Sequence, residues 1–272
     1  MEEAGRRRSL RSGRKLLSSG GASQPAVNLN VGTFNVGIML AMLGSKKHRE
    51  HFRRLLGKAF EEGDLHLLSL CEVGGHKQGL KTAFIHPQAL LDGVLPHKEY
   101  RAAAMQAYMS VWDAAGAAKP DGVSLQLWAA PTSVALASQA LDPQLVIFDF
   151  RVTAHGHDGK VGRLVLGVLH IRTPSSKKGP TEETKKRITR EALTVLEQRA
   201  NSGVVQPTVC VLTGDVNLSK NVATALVQPD VGEPDLLKHW HTEASSAAKS
   251  GDVAFVKGTA SKAWDISIGA SY

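Results

Sequence analysis

Cysteine is scarce in this chain, and long apolar runs are missing. Only two cysteines occur in 272 residues, Cys71 in LHLLSLCEV and Cys210 in PTVCVLTGD. Both sit inside apolar runs, so each is expected as a buried thiol in a reducing compartment, with a disulfide between them as the alternative. No run approaches the roughly 18 apolar residues that cross a bilayer, so no membrane span is expected. The first residues lack the apolar stretch of a secretory signal, and the expected location is intracellular, nuclear or cytoplasmic. There is no internal repeat.

What is present is a basic excess and a 42% hydrophobic content, enough for one substantial core. The formal charge is +8, and +4 of it comes from the first residues, where Arg6, Arg7, Arg8, Arg11, Arg14 and Lys15 face only Glu2 and Glu3. Residues 1–26 hold six serines or prolines and four glycines with little hydrophobic period, the composition of a disordered basic tail. Such an arm can touch nucleic acid or serve as a targeting address. Residues 27–272 are expected to form one domain.

Within that domain, VNLNVGTFNV reads as a strand. In KKHREHFRRLLGKAFEEG, residues Phe52, Leu55, Leu56, Ala59 and Phe60 make one helical stripe, and Gly63 marks its stop. LHLLSLC reads as a buried strand. A second helix is expected over TEETKKRITREALTVLEQRA, with Thr181 at its start, Glu182 and Glu183 in its first turn, and Ile188, Ala192, Val195 and Leu196 as its stripe. TVCVLTG follows as another buried strand. Between these crossover units, MQAYMSVW, VSLQLW, SVALAS, LVIFDFRV and RLVLGVLH follow one another without a helix. Asp158-Gly159 supplies the tight turn of a hairpin between the last two. Crossovers at both ends with antiparallel strands between them imply two packed sheets with helices outside.

Four of the apolar runs end in residues that carry chemistry: Asn35, Glu72, His170, and the pair Asp215 and Asn217. Strand ends gathered at one sheet edge are where α/β folds build sites, because the scaffold is rigid and the loops admit substrate. Singly, each has a plainer explanation as a turn former, a structural histidine or a strand surfacing. Together, an Asn/Glu/His/Asp-x-Asn set is the inventory of a hard-cation site.

These residues, in TFNVG, LSLCEVGG, LGVLHIRTPSSKK, LTGDVNLSK and GDVAFVKG, resemble the endonuclease/exonuclease/phosphatase superfamily, which includes pancreatic-type deoxyribonucleases, abasic-site endonucleases, inositol-phosphate phosphatases and sphingomyelinases. The resemblance runs from Asn35 to Asp252. It implies an α/β fold, a four-layer α/β/β/α sandwich of two mixed, largely antiparallel sheets. It implies Mg2+, with Mn2+ as the alternative, and a phosphoester substrate, with nucleic acid as one candidate and the protein as a monomer. Carried over by residue, Glu72 is the main metal ligand with Asn35 assisting, and Asn35 also borders the substrate. Asp215 orients or deprotonates the attacking water, Asn217 holds water or phosphate, and His170 donates to a non-bridging phosphate oxygen. Asp252 matches an aspartate that pairs with a C-terminal histidine.

Two departures qualify the match. The family's terminal Ser-Asp-His motif has no counterpart after WDISIGASY, and His239 and His241 precede Asp252. The chain is therefore expected to be incomplete at its C-terminus or degenerate, with weak activity. Gln106-Ala107-Tyr108 stands where the family often carries Glu-x-Tyr, so Tyr108 is a candidate phosphate contact without the acidic neighbour. The leading expectation is a phosphodiesterase, nuclease-like; the alternatives are an inositol-phosphate-type phosphatase and a catalytically inactive domain that binds a phosphorylated ligand or a protein. Of the four tryptophans, Trp112 and Trp128 are expected in the core, and Trp240 is the candidate substrate contact. The basic run Arg172, Lys177, Lys178, Lys185, Lys186 and Arg187 is expected either to steer phosphate-rich substrates or to form a solvated helix face.

Overall fold

The computed structural model describes residues 27–35, 50, 54, 65–71, 101–106, 109–113, 123–136, 144–154, 160–171, 179–202, 208–228, 240–244, 253–258 and 264–268. Among them two sheets form. The first has the order β12-β1-β2-β4-β3 and is built from β1 (Val27–Asn35), β2 (Leu67–Cys71), β3 (Arg101–Gln106), β4 (Met109–Asp113) and β12 (Trp264–Ile268). The second has the order β10-β11-β9-β8-β7-β5. Its strands are β5 (Val123–Leu127), β7 (Gln144–Ala154), β8 (Lys160–His170), β9 (Thr208–Thr213), β10 (His241–Ala244) and β11 (Val253–Gly258), and β6 (Thr132–Val134) also pairs with β7. Among the described strands parallel pairing is confined to β12–β1, β1–β2 and β8–β9, so both sheets are mixed and the pairing is largely antiparallel.

Side-chain alternation assigns the faces. Leu29, Val31, Leu67 and Cys71 from the first sheet meet Val146, Phe148, Phe150, Leu164, Leu166, Val168, Val209 and Val211 from the second in one buried cluster. The other face of the second sheet, carrying Leu145, Ile147, Val165, Leu169, Cys210 and Leu212, packs against helices α1 (Glu182–Asn201) and α2 (Lys220–Val227). The β1–β2 crossover contains Glu50 and Arg54, both helical and exposed. The architecture is the expected α/β/β/α sandwich.

Helix α1 starts and faces inward for the reasons its sequence gives. Thr181 is the N-cap, its hydroxyl accepting from the Thr184 amide at 3.2 Å, and Glu182 and Glu183 meet the positive end of the helix dipole. Ile188, Ala192, Leu193 and Leu196 are buried, while Val195, expected in the stripe, is only partly so. The helix lies close to β8 because position 167 is glycine: a Cβ there would stand 2.7 Å from Leu196 Cδ1. At the other end, Arg163 Nη1 reaches the Ala200 and Ser202 carbonyls at 3.5 and 3.4 Å, while its Nε donates to Asp149 at 2.8 Å. That buried ion pair thus also closes the helix C-terminus.

Several details differ from the sequence expectation. MQAYMSVW is not one strand but two, β3 and β4, antiparallel with Gln106 opposite Met109. Ala107 and Tyr108, between them in the sequence, lie outside the described residues, as does Asp158-Gly159 between β7 and β8. The short helix α2, capped by Ser219, was not anticipated. Trp128 is 47% exposed rather than core, and Trp240 is 4% exposed, its indole N–H donating to Glu197 at 2.6 Å. A buried indole satisfied in this way has no face left for substrate. Neither cysteine forms a disulfide, and both are buried. No helix among the described residues is long and apolar enough to cross a membrane.

Candidate active site

The site is set by where the parallel strands end. β8 and β9 run side by side with Val168 opposite Thr213, so their C-terminal ends deliver His170 and Asp215 to the same edge. β1 and β2 do likewise in the other sheet, with Asn35 opposite Cys71. The two edges meet: Asn35 Nδ2 donates to Asp215 Oδ2 at 2.8 Å, which joins residues 180 positions apart across the two sheets.

Asp215 is held from a second side. The Asn217 amide N–H donates to Asp215 Oδ1 at 3.1 Å, and the Ile171 N–H donates to the Asp215 carbonyl at 2.9 Å. Asn217 turns back with φ 52°, and its side-chain amide donates to the Ile171 carbonyl at 2.8 Å. Gly214 makes the turn possible, since its φ is +123° and a Cβ there would stand 2.1 Å from the Leu169 carbonyl oxygen. The result is a carboxylate oriented by two neutral donors and left half-buried at the mouth of the inter-sheet seam. His170, the residue before Ile171, is 4% exposed and lies on the same face of β8 as Val168.

One layer deeper, polar side chains interrupt the apolar seam. Ser69 Oγ and Thr213 Oγ1 lie 2.9 Å apart, Ser69 Oγ also reaches the Gly32 carbonyl at 3.2 Å, and Thr33 is buried at the matching level. Ser69 and Thr213 escaped the sequence reading because a lone hydroxyl inside an apolar strand is ordinarily unremarked. The signal was that Ser69 interrupts the apolar run LLSLC and Thr213 closes the run TVCVLT.

Thus Asn35, Asp215 and Asn217 are brought together, with His170 one residue from the strand end that pins Asp215. Glu72, Tyr108 and Asp252 lie outside the described residues. Among the described residues no three His, Cys, Asp or Glu side chains converge as a metal-binding group. The donors that do converge, the Asp215 carboxylate and the Asn35 amide, are oxygen-bearing groups suited to a hard cation. β2 brings the chain to this same edge immediately before Glu72. Lys185, expected on a steering or solvated face, instead donates from Nζ to the Asn217 carbonyl at 2.9 Å. Lys186 does face solvent and pairs with Glu182 at 3.1 Å.

No protein-family model and no curated protein sequence matches this chain. Solved structures do. A β-hairpin deletion mutant of beta toxin from Staphylococcus aureus superposes over 90% of this chain and 93% of its own, at 11% identity and a TM-score of 0.51. D. rerio TDP2 complexed with a single-strand DNA product covers 84% and 83%, at 14% identity and TM-score 0.48. A mannosyl-6-phosphatase from Bacteroides thetaiotaomicron covers 84% of each chain, at 12% identity and TM-score 0.47. At such identities the likeness speaks for the fold alone. This chain has the endonuclease/exonuclease/phosphatase fold.

Proposed function

We propose that residues 27–272 form a divalent-metal-dependent phosphoester hydrolase, a phosphodiesterase of nuclease-like type. The observation that carries this reading is the 2.8 Å contact between Asn35 and Asp215. It gathers the carboxyl ends of strands from both sheets around one oriented carboxylate, in the fold whose motifs the sequence resembles.

In this reading Glu72 and Asn35 hold Mg2+ or Mn2+, both hard cations that prefer oxygen ligands. When bound, such an ion neutralises phosphoryl charge and stabilises the leaving oxygen. Asp215, fixed by Asn35 and the Asn217 amide, orients the attacking water and takes up its proton. Help of this kind is typically worth about 10²–10⁴-fold in rate. Asn217 has committed its amide nitrogen to the Ile171 carbonyl, which leaves its side-chain oxygen to hold the water. His170 donates to a non-bridging phosphate oxygen from the floor of the site. Asp252 and Tyr108 keep the roles the resemblance implies, a histidine partner and a phosphate contact.

The test is hydrolysis of bis(p-nitrophenyl) phosphate with Mg2+ or Mn2+ and with EDTA, in wild type and Asp215→Asn. The expected outcome is metal-dependent turnover that falls about 100-fold or more in the variant, with cooperative unfolding retained. Turnover indifferent to EDTA or to the substitution sinks the reading. Mn2+ binding without turnover would instead assign a ligand-binding domain, and a preference for phosphomonoesters an inositol-phosphate-type phosphatase.

A further inference from the structure

Lys185, Lys186 and Arg187 are consecutive basic residues in the first turns of α1, yet only one of them is spent inside the protein. Arg187 is exposed, and Lys186 bridges Glu182 and Glu183 on the surface. Lys185 is half-buried, and its Nζ donates to the Asn217 carbonyl oxygen at 2.9 Å. Fixing a lysine side chain costs up to about 2 kcal/mol of rotamer entropy, so a surface lysine gains little by making such a reach.

The acceptor is not an ordinary carbonyl. Among the described non-glycine residues, Asn217 alone has a positive φ, 52°, a conformation that asparagine tolerates but does not prefer. Residues 216–219, around it, belong to no helix or strand. Val216 and Leu218 on either side are buried in the core that α1 also lines, and polar groups at Asn217 add three bonds: its amide on Asp215 Oδ1, its side chain on the Ile171 carbonyl, and Lys185 on its carbonyl oxygen. Two of these bonds tie the turn to β8 and to the Asp215 carboxylate. The third is a hydrogen bond from α1.

We infer that Lys185 is a positioning residue for Asp215: by holding the Asn217 carbonyl, it fixes the turn whose N–H aims the carboxylate. This inference rests on the reading of Asp215 as the central acid of the site, and Lys185 acts through the backbone rather than on substrate. Asp215 accepts from Asn35, the assisting ligand of the proposed metal site, and such direct partners of a ligand typically change metal affinity about 10–100-fold when lost; Lys185 stands further out, so its removal is expected to cost less.

The experiment compares amide hydrogen exchange in metal-free wild type, Lys185→Met and Lys185→Arg, and then Mn2+ binding to each by water-proton relaxation. In Lys185→Met, exchange at Asn217 is expected to rise about tenfold, while Val211 and Leu212 in β9 stay as protected as in wild type. Mn2+ binding weakens severalfold, less than the about 10–100-fold of a ligand's direct partner, and Lys185→Arg, which keeps a donor, recovers most of both. Unchanged exchange at Asn217 overturns the inference whatever the Mn2+ result, since a lysine that only steers anions would leave that amide alone. A rise spread equally over β9 also overturns it, as the mark of ordinary stabilisation, and so does faster exchange at Asn217 with full Mn2+ affinity. If wild type binds no Mn2+, the metal reading falls, and exchange at Asn217 alone then decides whether Lys185 holds the turn.

Discussion

The hydroxyl oxygens of Ser69 and Thr213 lie 2.9 Å apart, buried in the seam one layer below the Asn35–Asp215 contact. One belongs to each sheet, so the pair fixes the spacing of the two strands that carry the site. Each hydroxyl keeps a carbonyl acceptor when the other is removed, Gly32 for Ser69 at 3.2 Å and Gly167 for Thr213 at 3.4 Å, so the loss is that of one net hydrogen bond, about 0.5–1.5 kcal/mol. Thr213→Val and Ser69→Ala should each lose stability within that range in urea denaturation. The double variant should lose less than the two together by about 0.5 kcal/mol or more, the mark of residues that act on each other. Strict additivity would show that the hydroxyls are independent.

Asn35→Asp tests the same junction electrostatically. It sets a second carboxylate at hydrogen-bonding distance from Asp215, and two carboxylates sharing a site raise the proton affinity of the pair. The folded variant then binds a proton more tightly than the unfolded chain. Its destabilisation relative to wild type is full at pH 7, about 1–3 kcal/mol, and shrinks as pH falls toward 4 and one proton is shared. Urea titrations of both proteins across that range check it. A deficit that does not depend on pH would mean the side chains part in solution.

Gly214 carries the tightest constraint at the site. With φ +123° and the Leu169 carbonyl oxygen 2.1 Å from any added Cβ, Gly214→Ala must shift backbone against backbone. We expect a loss of about 3 kcal/mol or more, read as a lowered unfolding midpoint or as failure to accumulate soluble protein. A variant within about 1 kcal/mol of wild type would mean that the turn relaxes freely.

How much of this the sequence announced depends on the kind of signal involved. Asn35, His170, Asp215 and Asn217 were legible because each ends an apolar run, and ends of parallel strands share an edge. The helix at Glu182–Asn201 was legible from its cap and stripe. Helix α2 was not, because eight residues offer too short a stripe to stand out from a loop. Nor was the break between β3 and β4, since MQAYMSVW carries no glycine or proline to mark a turn. Trp128 and Trp240 exchanged their expected environments because the partner that admits Trp240 to the core, Glu197, lies 43 positions away. Lys185 was grouped with Lys186 and Arg187 because local sequence cannot say which of three neighbours faces a turn that arrives from elsewhere.

Cys210 provides a titration away from the site. Burial pushes its thiol from 9.0 up to about 12, so the folded state resists forming the thiolate that the unfolded chain forms readily. A pKa raised on folding gives stability that is whole below pH 9 and lost as pH climbs toward 12, at about 1.4 kcal/mol per unit. Cys210→Val should therefore flatten the alkaline limb of the stability curve relative to wild type. At pH 8, native wild type should resist iodoacetamide at this thiol, with labelling no faster than global opening. Rapid labelling of folded protein would contradict the burial.

The pairing of β1 with β12 sets Val27 beside Trp264 and Val31 beside Ile268. A chain growing from the ribosome makes the first partner almost at the outset and the second only after more than two hundred further residues. Throughout that interval the outer hydrogen-bonding rim of β1 has nothing to receive it, and such rims recruit stray strands. The fold should accordingly be slow to complete, with a high contact order, and should depend on protection during synthesis more than its final stability suggests.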